Sequence, residues 1–502
     1  MINRKTLKIF SIMAGPMACF IVMILFKSEP NTSVVGRMAA VTVWMAIWWI
    51  TEVVPLAVTS LLPVVLFPVF GIMSGKTVSP IYFNHIVFLF IGGFFVALAM
   101  QRWNLHRRIA LRTLSICGKT PARILLGIMS VTGFLSMWIS NTAATMMMVP
   151  IVAAMITSMD EKFGQKRVIR FSKSIFLAVA YSSSIGGIAT LVGTPPNMAF
   201  TQIFSKSFPD APEISFASWI AFAFPLSLIF LFIVWGILSY MCSYKTDKIE
   251  LSEEFVKNKL KEQKPPSYEE KVVLTAFISL AFLWITRSDL NIGIFTIPGW
   301  SRIFNEEFIN DGTVAITVAI LLFLIPSKTS EGSHILDWKT AEDMPWDIVL
   351  LFGGGFALAE GFRISGLSLW IGNKMAVFMN HPTIMIVAIV CLIMTFLTEF
   401  TSNTATAIMV LPILAGLSVS LKINPLILMI PATLSCSFAF MLPIATPPNA
   451  IVFSTRCLKI SDMAKAGILL NIIGVILTTL YIYYISGYLL GIDLKTFPVW
   501  AR

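Results

Sequence analysis

Apolar runs long enough to cross a lipid bilayer recur along the whole chain. A membrane-spanning helix needs about 20 consecutive apolar residues. Only 13% of the 502 residues are charged, whereas soluble globular proteins carry about 25%. The sequence therefore predicts an all-α, polytopic membrane protein with apolar runs at Leu7–Phe26, Met38–Ile72, Ile86–Trp103, Ile175–Ile203, Trp219–Met241, Val272–Ile285, Val314–Ile325, Ile348–Ala359, Ile384–Leu397, Pro425–Phe453 and Ala466–Leu490.

The surplus of basic residues predicts the orientation of the chain in the membrane. The net charge is +11, which in a soluble protein would suggest a nucleic acid partner. Here the basic residues cluster in short loops, at Asn104–Arg123 and between Lys162 and Lys173. The positive-inside rule places both loops and the N-terminus in the cytoplasm. We therefore expect a plasma (inner) membrane location, an extracellular or periplasmic C-terminus, and no nucleic acid partner.

The short motifs of soluble enzymes are missing from the sequence. The six cysteines contain no CxxC pair, and no GxSxG, Walker or metalloprotease spacing occurs. The basic start precedes an apolar run that is too long for a cleavable signal peptide. An enzyme is therefore not expected.

Three sequence landmarks occur twice and in the same order. FLSMWISNTA (Phe134–Ala143) returns 262 residues later as FLTEFTSNTA (Phe396–Ala405), and IVFLFIGGF at Ile86 returns at the same offset as IVLLFGGGF. TPPN at Thr194 returns after 252 residues. Counting spans from the cytoplasmic loops makes the run at Ile86 and its match at Ile348 cross in opposite directions. The two halves are therefore predicted to be inverted repeats, which in secondary transporters hold the substrate site at their interface.

The segment between the two basic loops predicts a re-entrant hairpin over 121–158, matched by a second one over 383–420. Both ends of the first segment lie on the cytoplasmic side, with Ser140, Asn141 and Thr142 near its middle. Two tight full spans would also fit its length, but they would leave this polar tripeptide in an external turn.

The Ser-Asn-Thr tripeptides have the chemistry of an ion site. An Asn side chain both donates and accepts hydrogen bonds, and hydroxyls do either. Helix N-termini at the hairpin tips would favour an anion. One tripeptide could thus face an anion on one side and Na⁺ on the other. The alternative is that the tripeptides only provide polar contacts between packed helices. The occurrence of the same tripeptide in both halves disfavours this alternative.

The double prolines of GTPPN and ATPPN predict two broken helices, over 175–205 and 425–455. Adjacent prolines remove backbone donors and leave upstream carbonyls unpaired. Such carbonyls suit a small cation, whereas a simple kink is the alternative. Three acids in apolar context, Glu52, Glu360 and Glu399, are by default candidate proton or cation sites. The counterpart of Glu399 in the first half is Met137.

Six stretches together resemble the divalent anion/sodium symporter family. That family includes bacterial dicarboxylate transporters and animal sodium-coupled di- and tricarboxylate transporters, and the resemblance is to a bacterial member. The stretches are WWITEVVPLAVTSLLPVVLFP (Trp48–Pro68), RWNLHRRIALRTL (Arg102–Leu114), LSMWISNTA, LVGTPPN, TEFTSNTA and SFAFMLPIATPPNAIVF (Ser437–Phe453).

The resemblance implies an elevator-type transporter with 11 transmembrane helices, two re-entrant hairpins and a homodimer held by scaffold domains within membrane lipid. The domain boundaries that we expect are N-terminal scaffold helices over 1–85, a first inverted repeat over 86–242, a cytoplasmic linker over 243–271, scaffold helices over 272–347, and a second inverted repeat with the final helix over 348–502.

The same resemblance implies the ligands. A first sodium site would use Ser136, Ser140, Asn141 and the Gly193 carbonyl, and a second would use Thr398, Thr401, Asn403 and the Ala445 carbonyl. The substrate would contact Asn141, Thr142, Thr194, Asn403, Thr404, Thr446 and Pro447.

The expected activity is import of C4-dicarboxylates such as succinate, malate and fumarate with two or more Na⁺ per substrate. In some citrate-preferring relatives an apolar residue replaces the Thr of the second tripeptide, so its retention here favours smaller dicarboxylates. Alternatives are a Na⁺-independent dicarboxylate exchanger, or citrate or sulfate as cargo. A channel would need a polar stripe or charged ring along several helices, and a sensor would need a soluble signalling domain. Neither feature is present in the sequence.

Overall fold

The computed structural model describes residues 4–26, 33–116, 120–243, 265–292, 295–304, 308–329, 333–374, 381–493 and 496–501. Most of the predicted linker, 244–264, lies outside these ranges. Helical structure resumes at Tyr268, where Ser267 and Glu270 form a reciprocal capping box: each side chain accepts the backbone N–H of the other residue.

Helices dominate the described residues. The first half contains α1 Arg4–Phe26, α2 Ser33–Thr51, α3 Leu56–Thr59, α4 Leu62–Val69, α5 Gly75–Val78, α6 His85–Arg102, α7 Leu105–Ile116, α8 Pro121–Ser136, α9 Asn141–Phe163, α10 Gln165–Gly187, α11 Pro195–Ser207 and α12 Phe216–Ser243. The second half contains α13 Tyr268–Ile285, α14 Asp311–Leu324, α15 Trp338–Ala341, α16 Trp346–Ser365, α17 Leu367–Lys374, α18 Thr383–Thr398, α19 Asn403–Leu421, α20 Pro425–Ser435, α21 Pro447–Ser454 and α22 Ile460–Leu490. Three short 3₁₀ turns, Ser79–Tyr82, Trp300–Ile303 and Val499–Ala501, and an antiparallel hairpin of β1 Leu290–Ile292 with β2 Phe295–Ile297 complete the described elements.

Seven helical segments among the described residues are long and apolar enough to cross a membrane. They are Ser33–Thr51, Gly75–Arg102, Asn141–Phe163, Phe216–Cys242, Trp346–Ser365, Asn403–Leu421 and Ile460–Leu490. Six further apolar helices have 10–17 residues. Several of these are arms of hairpins or halves of broken helices, so length alone does not identify them as spans. The predicted count of eleven and the re-entrance of the hairpins stay predictions.

Each half contains a helical hairpin followed by an interrupted helix. In the first half, α8 and α9 are joined at 137–140, and α10 is separated from α11 by 188–194. In the second half, α18 and α19 are joined at 399–402, and α20 is separated from α21 by 436–446. Prolines begin α11 and α21, a position where the missing N–H costs no helical hydrogen bond.

The two halves are interlocked through these elements. Helix α11 packs against α19, which is the second arm of the other half's hairpin. Helix α21 packs reciprocally against α9 and α10. Each short half-helix is therefore held by the opposite half.

A buried charge cluster ties α12, α13 and α14 together at the end of α6 where His85 lies. The Arg287 guanidinium pairs with Asp311 at 2.5 Å and with Glu213 at 3.0 Å. The Asp311 carboxylate also accepts the N–H of Phe216, the first residue of α12, at 2.9 Å. The Arg287 and Asp311 side chains are 5% and 6% exposed, so this pair is removed from water.

We predict that Arg287→Met strongly destabilises the fold, because it leaves a buried Asp311 carboxylate without its cation. Removing one partner of a buried pair costs about 3–5 kcal/mol, which should lower the thermal unfolding midpoint of the detergent-solubilised protein. Arg363→Met is the control, since the Arg363 side chain is 48% exposed in its pair with Glu360 and exposed pairs contribute about 0–1 kcal/mol. Equal midpoints for both variants would contradict this prediction.

Candidate functional site

One cavity joins the repeated motifs of both halves. Its volume is about 630 Å³. All seven residues predicted to contact substrate line it, as do five of the eight predicted sodium ligands, two of which, Asn141 and Asn403, belong to both sets. These lining residues are Asn141, Thr142, Thr194, Asn403, Thr404, Thr446 and Pro447, with Ser140, Thr401 and Ala445. The remaining predicted sodium ligands, Ser136, Gly193 and Thr398, are buried and do not line the cavity.

The N-termini of four helices converge on this cavity. Asn141, Pro195, Asn403 and Pro447 are the first residues of α9, α11, α19 and α21, and all four line the wall. At the starts of α9 and α19, free N–H groups and the positive end of the helix dipole favour an anion, each by about 0.3–1 kcal/mol and by up to about 2 kcal/mol when partly buried. Helices α11 and α21 each begin with two prolines, which have no N–H, so these two helices contribute mainly their dipoles. The arrangement can therefore hold an anion without a basic side chain.

The first hairpin tip is organised by its own side chains. Ser140 caps α9, because its hydroxyl accepts the N–H of Ala143 at 3.2 Å. The Ser136 hydroxyl donates to Asn141 Oδ1 at 2.5 Å. This bond fixes the Asn141 amide at the cavity wall and brings together two oxygens of the predicted first sodium site.

The second tip repeats this contact with a different hydroxyl. Thr398 Oγ1 lies 2.7 Å from Asn403 Oδ1 and 2.9 Å from the Cys436 carbonyl oxygen, and its single proton serves one of them at a time. Thr401 Oγ1 donates to the Leu397 carbonyl at 2.9 Å or pairs with the Thr406 hydroxyl. The Thr398 hydroxyl oxygen and the Asn403 amide oxygen, two ligands of the predicted second sodium site, thus lie close together.

Two asparagine side chains hold the interrupted helices open. Asn197 Nδ2 reaches the carbonyl oxygens of Thr190 at 2.8 Å, Ile188 at 3.3 Å and Gly187 at 3.4 Å. Asn449 Nδ2 does the same in the second half, with Ala439 and Leu442, both at 2.9 Å. Within the described residues, Oδ1 of each asparagine is buried without a hydrogen-bond donor. The breaks are therefore lined with oxygen acceptors, the ligands that hard cations take.

Carbonyl oxygens crowd around Gly193. A Cβ atom at this residue would lie 2.5 Å from the Gly187 oxygen and 2.8 Å from the Ser136 oxygen. A Cβ at Gly187 would lie 2.4 Å from Asn141 Oδ1. Only glycine allows the unwound backbone to approach the hairpin tip this closely, so the two elements can share a small ion.

The wall of the cavity carries acids but no bases. Glu52 and Asp347 line it, and no Lys or Arg is among its described lining residues. Glu52 directly follows α2 and has a φ of 45°, a left-handed backbone conformation that is uncommon for a non-glycine residue. The fixed side-chain charges of the wall are negative, so an anion in this cavity needs help from bound cations.

Comparison with known proteins shows the family of the chain. The family model for the sodium:sulfate symporter transmembrane region matches residues 6–492. The chain belongs to this family. The chain is similar to the Sodium-dependent dicarboxylate transporter SdcS of Staphylococcus saprophyticus, with 42% identity over 98% of this chain and 95% of that protein's length. SdcS of Staphylococcus aureus strain MRSA252 is also 42% identical, over 98% of this chain and 94% of its own.

Two solved structures share the fold of this family member. The Alcanivorax borkumensis YdaH transporter superposes with a TM-score of 0.53 at 13% identity, over 80% of this chain and 85% of that one. Neisseria gonorrhoeae MtrF gives 0.55 at 14% identity, over 85% of each chain. The relatives and the family are transporters, as expected from the lack of enzyme motifs.

Sequence reasoning missed part of the site in this sodium:sulfate symporter family member. Asp347 belongs to no motif, although it immediately precedes the repeated IVLLFGGGF, and Asn197 and Asn449 are the last residues of the two TPPN motifs. Of the three acids in apolar context, Glu52 lines the cavity, whereas Glu360 and Glu399 do not. The offset between the repeats is the available signal, since Asp347 corresponds to His85 and both lie in the first turn of a long helix.

We predict that Gly193→Ala weakens Na⁺ binding by about tenfold or more, because the new methyl group displaces carbonyl oxygens of the predicted first site. The measurement is the Na⁺ concentration that gives half-maximal thermal stabilisation of the purified protein. Gly236→Ala is the matched control, since nothing lies within 4 Å of a Cβ there. Normal Na⁺ stabilisation of Gly193→Ala would exclude this carbonyl cluster as a sodium site.

Proposed function

We propose that this protein is a Na⁺-coupled importer of C4-dicarboxylates such as succinate, malate and fumarate. The observation that carries the proposal is the convergence of four helix N-termini and two Ser-Asn-Thr tips on one cavity whose described lining residues include no Lys or Arg. The printed name of the SdcS relatives, which describes sodium-dependent dicarboxylate transport, agrees with it.

The charge of the cargo explains why Na⁺ is needed. Each carboxylate that leaves water loses several kcal/mol even after the protein relaxes, and the four helix N-termini offset only part of this, at about 0.3–2 kcal/mol each. Two or more Na⁺ held behind the tips would neutralise the dianion. Na⁺ and substrate should then strengthen each other's binding by the same factor.

Features of the site favour this proposal over its alternatives. The hydroxyls of Ser136 and Thr398 each lie within hydrogen-bond distance of an asparagine oxygen. Each predicted sodium site therefore has a hydroxyl and an amide oxygen side by side, which disfavours a Na⁺-independent exchanger. Thr404, whose counterpart is apolar in some citrate-preferring relatives, lines the cavity. Citrate and sulfate are therefore tested as competitors and not as the main cargo.

Asymmetry between equivalent residues supports an alternating, elevator-type movement. Trp138 and Phe400 occupy the same position of the two tips, yet Trp138 packs on Phe216 and Phe277, whereas Phe400 is 70% exposed at the cavity. His85 lines a pocket of about 280 Å³ beside the buried charge cluster, while its equivalent Asp347 lines the larger cavity. The predicted orientation puts the open cavity on the cytoplasmic side, with the transport elements moving against a homodimeric scaffold in the lipid.

We predict that succinate affinity rises steeply with Na⁺ and that Asn141→Ala and Asn403→Ala each abolish uptake. Each substitution removes an amide that contacts both a predicted sodium site and the cavity. The measurements are Na⁺ titrations of succinate binding at constant ionic strength, with choline as replacement, and uptake into proteoliposomes competed by citrate, malate and sulfate. Equal succinate affinity at zero and saturating Na⁺ would favour the exchanger.

We also predict that the two tips differ in accessibility. A cysteine at Phe400 should react with a membrane-impermeant thiol reagent from the cytoplasmic side, whereas one at Trp138 should be protected by its aromatic neighbours. Labelling is measured in inside-out vesicles from a background without the native cysteines. Equal reactivity at both positions would argue against one open and one closed side.

A further inference from the structure

The same contact between a hairpin and its unwound segment is present in both halves, but opposite partners supply its polar side chain. In the first half, the Thr190 hydroxyl of the unwound segment donates to the carbonyl oxygen of Met137 at the hairpin turn. The same hydroxyl accepts the N–H of Gly193 at 3.1 Å. One side chain thus bridges the hairpin and the break in α10–α11.

In the second half, the bridging side chain comes from the hairpin. The Glu399 carboxylate accepts the N–H of Met441 at 2.9 Å and the N–H of Leu442 at 3.1 Å, both in the break between α20 and α21. Asn471 of α22 also donates to it at 2.7 Å. The carboxylate therefore spans the same two elements as Thr190 does.

The repeat offsets make these contacts equivalent. The hairpin offset of 262 relates Met137 to Glu399, and the TPPN offset of 252 relates Thr190 to Leu442. The second offset holds in three dimensions, because Asn197 binds the Thr190 carbonyl and Asn449 binds the Leu442 carbonyl. The polar side chain therefore lies at opposite positions in the two halves. In the first half the hairpin has the apolar Met137 and the unwound segment has Thr190. In the second half the hairpin has Glu399 and the unwound segment has the apolar Leu442.

We propose that Thr190 and Glu399 are positioning residues for the two sodium sites. We name the two contacts hairpin clasps: Thr190 with Met137 and Gly193, and Glu399 with Met441 and Leu442. Each clasp fixes the hairpin turn against the unwound carbonyls, so that oxygens from two separate elements form one ion site. This inference rests on the proposed Na⁺ coupling.

Both side chains contact backbone atoms that lie at or near the predicted carbonyl ligands of the sodium sites. Gly193, held by Thr190, is itself a predicted carbonyl ligand, and Leu442 stands three residues before the predicted ligand Ala445. Both carboxylate oxygens of Glu399 are occupied by N–H donors, and the residue is 1% exposed. Charge-assisted bonds to backbone N–H groups are stronger than neutral ones, which suits the longer break of the second half.

Exchanging the clasps between the halves tests the proposal. Glu399→Met copies the first-half residue and removes the second clasp, so the Na⁺ concentration for half-maximal succinate binding should rise about tenfold. Adding Leu442→Thr restores a hydroxyl at the equivalent of Thr190 and should bring that concentration back toward the wild-type value. Maximal binding at saturating Na⁺ should stay unchanged in both variants, a split that general destabilisation would not produce.

The first clasp provides a test that does not depend on substituting a buried acid. Thr190→Val keeps the shape of the side chain but loses the hydroxyl, so it should raise the Na⁺ concentration for half-maximal succinate binding, as Glu399→Met does. Thr190→Ser keeps a hydroxyl and should leave that concentration near the wild-type value. Thr145→Val is the matched control, because it removes a buried hydroxyl of the same hairpin whose hydrogen bond among the described residues goes to Ser183. Monodispersity and the thermal midpoint are recorded for every variant.

The outcomes separate the clasps from the proposed function. Wild-type Na⁺ affinity in Glu399→Met or Thr190→Val overturns the positioning role, as does a double variant no better than Glu399→Met alone. A wild-type protein whose succinate binding ignores Na⁺ overturns the proposed coupling itself, and the clasps with it. That result is recognised from the wild-type titration before any variant is compared.

Discussion

The side-chain amides of Asn197 and Asn449 make two helix breaks possible inside an apolar protein. A backbone carbonyl buried without a donor costs free energy in a membrane, where water cannot replace the lost hydrogen bond. Each amide spans several such carbonyls at once. The breaks can then turn their remaining oxygens toward an ion, and α11 and α21 can begin at the cavity. Without these amides, neither the ion oxygens nor the helix N-termini would be where a charged cargo needs them.

Polar groups surround the cavity at different depths. Helix N-termini and hydroxyls line its surface together with five of the eight predicted sodium ligands, whereas Ser136, Gly193 and Thr398 are buried and do not line it. The Glu399 carboxylate is bound to the backbone of the second break. No full positive charge belongs to the described wall. If bound Na⁺ supplies the positive charge at this site, the anion binds weakly when Na⁺ is absent. Coupled transport requires this property.

The cavity residues that belong to the Ser-Asn-Thr and TPPN motifs could be predicted, because polar motifs inside apolar sequence are conspicuous and these occur twice. Glu52 and Asp347 could not be placed, since a single acid at the edge of an apolar run gives no indication of what it faces. The contacts of Thr190 and Glu399 join residues 53 and 43 positions apart, and the exchange of roles hides them from a comparison of motifs alone. The sequence also does not determine the number of membrane spans, because hairpin arms and half-helices are as apolar as full spans but shorter.

The interlocking of the halves has a consequence for synthesis on the ribosome. Helix α9 and its polar tip leave the ribosome long before α21, the element that covers them from the other half, is made. At about 5–20 residues per second, the delay is on the order of tens of seconds. During that time Asn141 and its neighbours must remain in the membrane without their final partners. The nascent first half therefore depends on the insertion machinery, or on water trapped beside it, until the second half arrives to complete it.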